Sequence, residues 1–193
     1  MTEARAGLPI VAFADAQAFD AWLADPPPGV RGAWLKLARK GSGTASVSKQ
    51  QAVDAALCHG WIDGQLDKYD EQHWLVRFTP RKARSRWSAI NIRRAAELIA
   101  AGCMRAGGLA EVEAAKADGR WAAAYAPAST ARVPDDLQAA LDANPDAAAF
   151  FATLKGANRY AILYRIGGAK KPETRARKIA EFVAMLARGE TIH

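Results

Sequence analysis

The stretch IDGQLDKYDEQHWLVRFT, residues 62–79, has the pattern of a β-hairpin and sets the fold of the residues around it. Polar residues at 70–72 form the expected turn between two strands. In the second strand, Trp74, Val76 and Phe78 alternate with other residues, and successive side chains of a strand point to opposite faces. The sequence therefore predicts a sheet whose one face is buried by these three side chains.

The register of this hairpin decides which charged side chains meet. Arg77 and Thr79 must lie on the face opposite Trp74, because they occupy the alternate positions. Whether Asp63 and Asp67 lie beside Arg77 depends on the length of the turn, since a slip of one residue moves a side chain to the other face. The sequence leaves both registers open.

The residues before the hairpin predict a mixture of short strands and helices. Caps and turn residues mark the helix ends, and alternation of apolar side chains marks the strands. The expected elements are a strand at 8–13, a helix capped by Asp15 and stopped by the prolines at 26–28, a strand at 30–39 with one buried face, a flexible loop at 41–44, and a helix opened by a capping box of Ser48 and Gln51.

The residues after Pro80 predict helices only. Ser88 is a favourable N-cap, and Trp87 and Ile92 have the spacing of a hydrophobic staple. Further helices are predicted at 109–118, 135–143, 145–154, 159–166 and 172–188. We therefore expect an α+β fold with a small antiparallel sheet and helices in the N-terminal half and an all-helical C-terminal half. The expected lobes are residues 1–86 and 87–193, packed as one continuous unit.

Composition limits the class of protein. A chain of 193 residues can bury a core without disulfides, and we expect Cys58 and Cys103 to be reduced packing residues in apolar helices. The sequence shows no secretion signal and no run of 18 apolar residues, which favours a cytoplasmic protein. The formal net charge is +7 and the pI is about 9.6, so acidic or phosphate-bearing partners are favoured.

The stretch RFTPRKARSRWSAINIRR, residues 77–94, concentrates this charge. It holds seven Arg or Lys residues, and no Asp or Glu occurs between Glu71 and Glu97. Most of these cations precede the predicted start of the Ser88 helix, where backbone N–H groups and the helix dipole favour an anion. Together with Arg84, the candidate ligand-binding residues are Trp61, Asp63, Arg77, Thr79, Arg81, Lys82, Arg86, Trp87, Ser88 and Asn91.

Three interpretations of this stretch remain open. Arginine forms bidentate hydrogen bonds with carboxylate or phosphate, so the stretch suits a small anion or an acidic partner. A solvated structural loop is the second interpretation, because Trp87 and Ser88 already have roles as staple and cap. The third is binding of single-stranded nucleic acid by arginines interleaved with aromatic residues, although Trp74 and Phe78 share the expected core face.

No motif identifies a reaction. Cys58 and His59 are adjacent and would point about 100° apart on a helix, so they do not form one metal site, and we expect no metal and no cofactor. The sequence contains no GxSxG, Walker A or GxGxxG motif. An enzyme that uses Asp63 with the arginine cluster remains an alternative, but Asp63 has no visible base partner and no catalytic residue is assigned.

Several sequence blocks, taken in order, resemble a known family. They are GWIDG (60–64), RFTPRK (77–82), SRWSAINIRR (85–94), LIAAGCM (98–104), EAAKADGRWAAAYAP (113–127) and KKPETRARKIAEFVAMLARGE (170–190). These blocks resemble the YdeI/OmpD-associated family, whose OmdA-like members are also labelled bacteriocin-protection proteins, and they span nearly the whole chain. The resemblance implies a bacterial protein linked to envelope stress and to tolerance of cationic antimicrobial peptides or bacteriocins, with no established reaction. We therefore expect a non-catalytic stress-protection or bacteriocin-protection module that binds an anionic small ligand or an acidic partner.

Overall fold

The computed structural model describes residues 3–193, which form two compact units. The first unit ends at Ala124 and contains the sheet, and the second unit comprises Tyr125–His193 and contains helices alone. The predicted α+β class, with strands in the N-terminal half and a helical C-terminal half, is confirmed. In the described residues no helix is both long enough and apolar enough to cross a membrane.

The elements follow one another in this order. The first unit contains β1 (Ala4–Arg5), β2 (Leu8–Ala12), α1 (Ala16–Ala24), β3 (Ala33–Ala38), α2 (Lys49–Cys58), β4 (Trp61–Lys68), β5 (His73–Pro80), α3 (Ala89–Ala100) and α4 (Ala106–Ala117). The second unit contains α5 (Asp135–Asp142), α6 (Pro145–Thr153), α7 (Gly156–Gly167) and α8 (Pro172–Ala187).

The sheet has the strand order β1-β2-β3-β5-β4 and is mixed. Its β3–β5 and β4–β5 pairs are antiparallel, as expected, but β2 and β3 run parallel. The reason is α1, which connects β2 to β3 and returns the chain to the end at which β2 began. The expectation of an antiparallel sheet therefore needs correction at this one pair.

The hairpin of β4 and β5 forms as the sequence predicts. The Asp70 carboxylate closes the turn by accepting hydrogen bonds from the backbone N–H groups of Gln72 and His73, at 2.8 and 2.6 Å. Val76 and Phe78 lie in the main core, and Trp74 packs against its edge. This core lies between the sheet and the helices α1 and α2. Its buried members are Phe19, Leu23, Leu35, Leu37, Val47, Ala52, Ala55, Ala56, Trp61, Val76 and Phe78.

The second face of the sheet is also buried at its centre, which the alternation of β3 did not predict. Trp34 is 3% exposed, although it alternates with the core residues of β3. Its indole Nε1 donates a hydrogen bond to the Arg5 carbonyl at 3.0 Å, so β1 contacts this face. The hairpin of β1 and β2 was missed because its turn is Ala6-Gly7, with φ values of 49° and 75°, whereas the usual signal is Asn-Gly or Asp-Gly.

All three predicted helix N-caps, Asp15, Ser48 and Ser88, are present. The Asp15 carboxylate accepts a hydrogen bond from the Ala18 N–H at 2.9 Å and begins α1. Ser48 and Gln51 form the reciprocal capping box that begins α2. Helices α4 and α7 instead begin three residues before their predicted starts, since Arg105 and Lys155 at their N-caps make no side-chain capping bond that a sequence pattern could indicate.

Helices α3 and α4 pack against the C-terminal end of α2 through a second core. Its buried members are Leu57, Cys58, Trp87, Ala95, Leu98, Val112 and Ala115. Cys103 does not lie in a helix, as had been expected, but in an exposed connection that follows Gly102, whose φ of 69° ends α3. The division into lobes at 1–86 and 87–193 stays a prediction.

The second unit is held together by a core of its own and by an ion pair between α5 and α8. Arg175 donates hydrogen bonds to both carboxylate oxygens of Asp136, and the Nη2 to Oδ1 distance is 2.8 Å. Another nitrogen of Arg175, Nη1, donates to the Ile166 carbonyl at 3.0 Å. The hydrogen bonds from Arg175 hold the pKa of Asp136 below its usual range.

We predict that Gly108→Ala destabilises the first unit by about 3 kcal/mol, because the α4 backbone lies directly on the end of α2. A Cβ at position 108 would lie 2.3 Å from the Cys58 carbonyl oxygen, which is closer than atoms can approach. The matched control is Gly167→Ala, where a Cβ meets nothing within 4 Å in a helix. Urea denaturation should show a neutral or stabilising change of up to about 1 kcal/mol for that control. Equal effects at both positions would contradict the close packing.

We also predict that Asp136→Asn costs about 0.5–1 kcal/mol at pH 7, since the carboxylate is nearly half exposed. Because the folded pKa of Asp136 is lowered, its contribution is complete above the unfolded pKa of about 3.9 and is lost as the pH falls through the folded value. Denaturation of wild type and variant should therefore converge at acid pH. The control is Asp135→Asn, on the same helical turn and without an ion pair among the described residues. A cost at low pH equal to that at pH 7 would contradict the assignment.

Candidate functional site

The basic stretch at residues 77–94 falls into three structural environments. Arg77 lies on β5, residues 81–86 form a loop, and α3 starts after the cap Ser88. Two of its cations, Arg81 and Arg94, are tied to the protein by stacking or by ion pairing, so the stretch is not one continuous cationic surface.

Arg77 lies on the sheet face away from α1 and α2, and a β-bulge separates it from Asp63. Asp63 pairs with Phe78, whereas Leu66 pairs with Val76, so Gly64 and Gln65 together lie opposite Arg77. This extra residue puts Asp63 on the Phe78 face. The Arg77 side chain instead lies over Gly64, where a Cβ would be 3.7 Å from its Nε.

The two acidic residues of β4 therefore have different neighbours. Asp67 pairs with Leu75, on the same face as Arg77, and its Oδ2 lies 3.1 Å from Arg5 Nε. Asp63 is partly buried, and its Oδ2 lies 3.9 Å from Lys49 Nζ at the start of α2. The bulge thus settles the register that the sequence left open: Asp67 lies on the same face as Arg77, and Asp63 does not.

Arg81 is part of the packed structure. Its side chain is buried, with 6% of the residue exposed, and its guanidinium carbon lies 3.5 Å from the centroid of the Trp87 ring. The Arg81 backbone N–H donates to the Gly60 carbonyl at 2.9 Å, which continues the sheet edge past Pro80. A stacked arginine of this kind is positioned by the protein and covers the indole face.

Three other candidate residues, Trp87, Ser88 and Trp61, are also buried. Trp87 is 1% exposed, and its ring centroid lies 5.0 Å from that of Trp121. Ser88 caps α3 by accepting a hydrogen bond from the Asn91 N–H at 3.0 Å. Trp61 is 5% exposed and belongs to the core between the sheet and the helices. The two indole rings are covered by protein atoms, so they provide packing area.

Thr79 and Arg86 are half-buried beside this group. Thr79 packs against the backbone at Gly32, where an added Cβ would be 2.7 Å from Thr79 Cγ2. The Arg86 carbonyl accepts a hydrogen bond from Arg81 Nη1 at 3.5 Å. The Arg86 carbonyl therefore helps to hold the Arg81 side chain, and Thr79 packs against the segment that precedes β3.

Exposed cations make up the remaining group, which we call the basic loop surface: Arg77, Lys82 and Arg84. All three are exposed, and none forms an ion pair with any residue between 3 and 193. The loop that carries Lys82 is held in shape by two hydrogen bonds: Lys82 N–H to Ser85 Oγ at 2.9 Å and Ser85 N–H to the Lys82 carbonyl at 2.8 Å. Arg120 Nη1 donates to the Ser85 carbonyl at 3.1 Å and anchors the loop from behind.

The thiol and imidazole near this region have structural surroundings. Burial, followed by the neighbouring Cys103, raises the pKa of the Cys58 thiol to about 11, so this thiol stays protonated near neutral pH. His59 Nε2 lies 2.8 Å from Asp20 Oδ1, which joins the end of α2 to α1.

A cavity that the sequence did not indicate lies in the same unit. Its volume is about 380 Å³, and it is formed by the connection between β3 and α2 together with Trp74. The sequence pattern had marked residues 41–44 only as a flexible loop. The signal that could have found the cavity is the set of cations on both sides of that loop: Arg39, Lys40 and Lys49.

Two family models match the chain, one in each unit. Residues 11–111, just over half of the chain, match the model described as a domain of unknown function, DUF8412. Residues 130–189 match the model described as "Bacteriocin-protection, YdeI or OmpD-Associated". Neither the comparison with curated proteins nor the comparison with solved structures found a match.

The predicted resemblance to the YdeI/OmpD-associated family is thus confirmed for residues 130–189. Its expected extent over nearly the whole chain is corrected, since the blocks at 60–64, 77–82, 85–94 and 98–104 fall in the DUF8412 match. The candidate ligand-binding residues all lie between 61 and 91, within that first match.

We predict that Arg81→Ala lowers the stability of the first unit by about 2 kcal/mol, because it removes a buried side chain stacked on Trp87. Arg81→Lys should restore only part of this loss, since an ammonium group lacks the planar stacking surface. The control is the exposed neighbour in Lys82→Ala, which should change stability by less than about 0.5 kcal/mol in urea denaturation. If Arg81→Ala and Lys82→Ala have the same stability, Arg81 does not have this structural role.

Proposed function

We propose that the first unit of this chain, which belongs to the family of the domain of unknown function DUF8412, is a non-catalytic module that binds an anionic ligand or an acidic partner. The proposed ligand contacts are Arg77, Lys82 and Arg84 of the basic loop surface. The match at residues 130–189 supports a role in bacteriocin or stress protection, which we include in the proposal together with a cytoplasmic location.

One observation carries the proposal: the cations of the basic loop surface have no acidic partner among the described residues. No Asp or Glu occurs between Glu71 and Glu97, so neighbours in sequence do not neutralise them either. Surfaces that serve only solubility usually intersperse both signs of charge. A segment with cations alone is therefore better suited to attract an anion.

The loop that carries Lys82 and Arg84 is also restricted by hydrogen bonds, which favours binding. Hydrogen bonds between Lys82 and Ser85 and the anchor from Arg120 limit its conformations before any ligand arrives. A preformed loop loses less conformational entropy on binding than a flexible one. Because the cations are exposed, their attraction for an anion is screened by salt, and we expect affinity to fall as ionic strength rises.

The alternatives have less support from the geometry. Trp87 is buried and Phe78 and Trp74 belong to the core or its edge, so these aromatic rings do not lie beside the cations as a platform for single-stranded nucleic acid. An enzyme that uses Asp63 with the arginines is disfavoured, since the bulge places Asp63 on the other face from Arg77. A small anion or an acidic protein surface needs neither arrangement.

We predict that tripolyphosphate at about ten times its Kd raises the Tm of the protein by about 3–5 °C at low salt. The double variant Lys82→Ala with Arg84→Ala should lose most of this increase, and Arg77→Ala should reduce it. The measurement is thermal unfolding followed across an anion series that includes an oligo-aspartate peptide.

The matched control is Lys155→Ala with Arg165→Ala, which removes one lysine and one arginine that are exposed in the second unit. It should retain the full increase. No increase with any anion, or an equal loss in the control, would refute the proposal. Binding of a single-stranded oligonucleotide without binding of tripolyphosphate or oligo-aspartate would replace it with the nucleic-acid alternative.

A further inference from the structure

The cavity between the β3–α2 connection and Trp74 has walls of two chemical kinds. Its inner wall is apolar and consists of Leu37, Val47 and Trp74. Leu37 and Val47 are 1% and 2% exposed and belong to the core behind the cavity, so Trp74, which is only partly covered, is the apolar side chain that a ligand can reach. With a volume of about 380 Å³, the cavity is within the size range of small-molecule sites.

The rim of the cavity is cationic. Arg39, Lys40 and Lys49 line it, and no Asp or Glu does. Arg39 and Lys40 are exposed and have no ion pair within residues 3–193, and Lys49 has only the longer contact of 3.9 Å with Asp63. A metal ion or a cationic ligand would be repelled by this rim.

The connection is held in place at three points. The Arg39 N–H donates to the Gln72 carbonyl at 2.7 Å, and the Val47 N–H donates to the Phe13 carbonyl at 3.1 Å. Between them, Ser46 Oγ accepts a hydrogen bond from the Ala38 N–H at 3.1 Å. The cavity is therefore formed in the absence of a ligand, which lowers the entropic cost of binding.

Backbone groups of the connection add hydrogen-bond donors. Gly41 and Gly43 have φ values of 86° and 74°, and in the described part of the chain neither backbone N–H donates to another group. At the start of α2, the backbone N–H groups of Ser48 and Gln51 already bond each other's side chains. The cations and the glycine-containing loop are what an anion would meet.

We propose that this cavity binds a small organic anion, whose apolar part lies against Trp74 and whose phosphate or carboxylate contacts Arg39, Lys40 and Lys49. An inorganic anion would leave the accessible part of the Trp74 ring in contact with water, and a neutral apolar molecule would leave the cations unused. The site uses none of the residues of the basic loop surface, so it is independent of the function proposed above.

The test uses isothermal titration calorimetry of the full chain with phenyl phosphate and with benzoate, compared with inorganic phosphate and with benzyl alcohol. At least one of the two aromatic anions should bind about tenfold more tightly than inorganic phosphate and than benzyl alcohol. The double variant Arg39→Ala with Lys40→Ala should weaken that binding by about tenfold or more, because two charged contacts are lost. Which of the two anions binds better identifies the preferred acidic group.

Two matched variants serve as controls. Lys82→Ala with Arg84→Ala and Lys155→Ala with Arg165→Ala each remove one lysine and one arginine, as the cavity variant does, and both should bind as wild type. Amide NMR spectra should show the ligand-induced shifts at residues 39–49 and at the Trp74 indole.

Three results would overturn the inference. They are no binding of either aromatic anion, unchanged binding in the cavity variant, and equal affinity for inorganic phosphate. Loss of binding in Lys82→Ala with Arg84→Ala, with the cavity variant unaffected, would also overturn it and would support the basic loop surface instead. Loss of aromatic-anion binding in Arg39→Ala with Lys40→Ala, but not in Lys82→Ala with Arg84→Ala, supports the cavity site. This result holds whether or not tripolyphosphate binds to the basic loop surface.

Discussion

Antiparallel pairing between β3 and β5 is the constraint on which the arrangement of the first unit depends. Six consecutive residue pairs, from Ala33–Phe78 to Ala38–His73, hold the two strands in one register. With that register, Phe78 faces the core, where its ring centroid lies 5.5 Å from that of Phe19. Arg77, the preceding residue, must therefore point to the opposite face. The same pairing brings Leu37 beside Trp74, and these two residues form the apolar wall of the cavity. The core, the exposed arginine and the cavity are thus consequences of one strand pair.

Burial separates cations that are neighbours in the sequence. Arg81 and Lys82 are adjacent, yet Arg81 is stacked on Trp87 and Lys82 is exposed. Arginine suits the buried position, because its flat, weakly hydrated guanidinium group packs against an aromatic ring, whereas the strongly hydrated ammonium group of lysine favours water. A basic stretch can therefore contain structural and ligand-accessible charges side by side. Only the accessible ones contribute to the attraction of an anion.

The two units match different family models, and only one of these models has a description that names a function. The first match contains β3, β4 and β5 of the sheet, the basic loop surface and the cavity, and its description names no function. The second match carries the bacteriocin-protection label and lies in the helical unit, where Asp136 and Arg175 join α5 to α8. Neither ligand-binding proposal relies on residues of the second unit. The physiological label and the candidate binding sites consequently lie in separate parts of the chain, and each needs its own test.

The sequence by itself determined the features that short-range physics controls. Caps such as Asp15 and Ser48 bond to N–H groups three residues away, and the alternation in β5 distinguishes its two faces, so the starts of the capped helices, the hairpin and the α+β class were predictable. The β-bulge that separates Asp63 from Arg77 was not predictable, because the side-chain pattern of β4 does not fix its register with β5. The burial of Arg81 was not predictable either, because it depends on how the loop after β5 packs against Trp87. The cavity beside Trp74 was not predictable either, because residues of β3, of β5 and of the connection between β3 and α2 form it together. Tertiary structure alone decided which cations face solvent, since burial is set by neighbours that the local sequence does not specify.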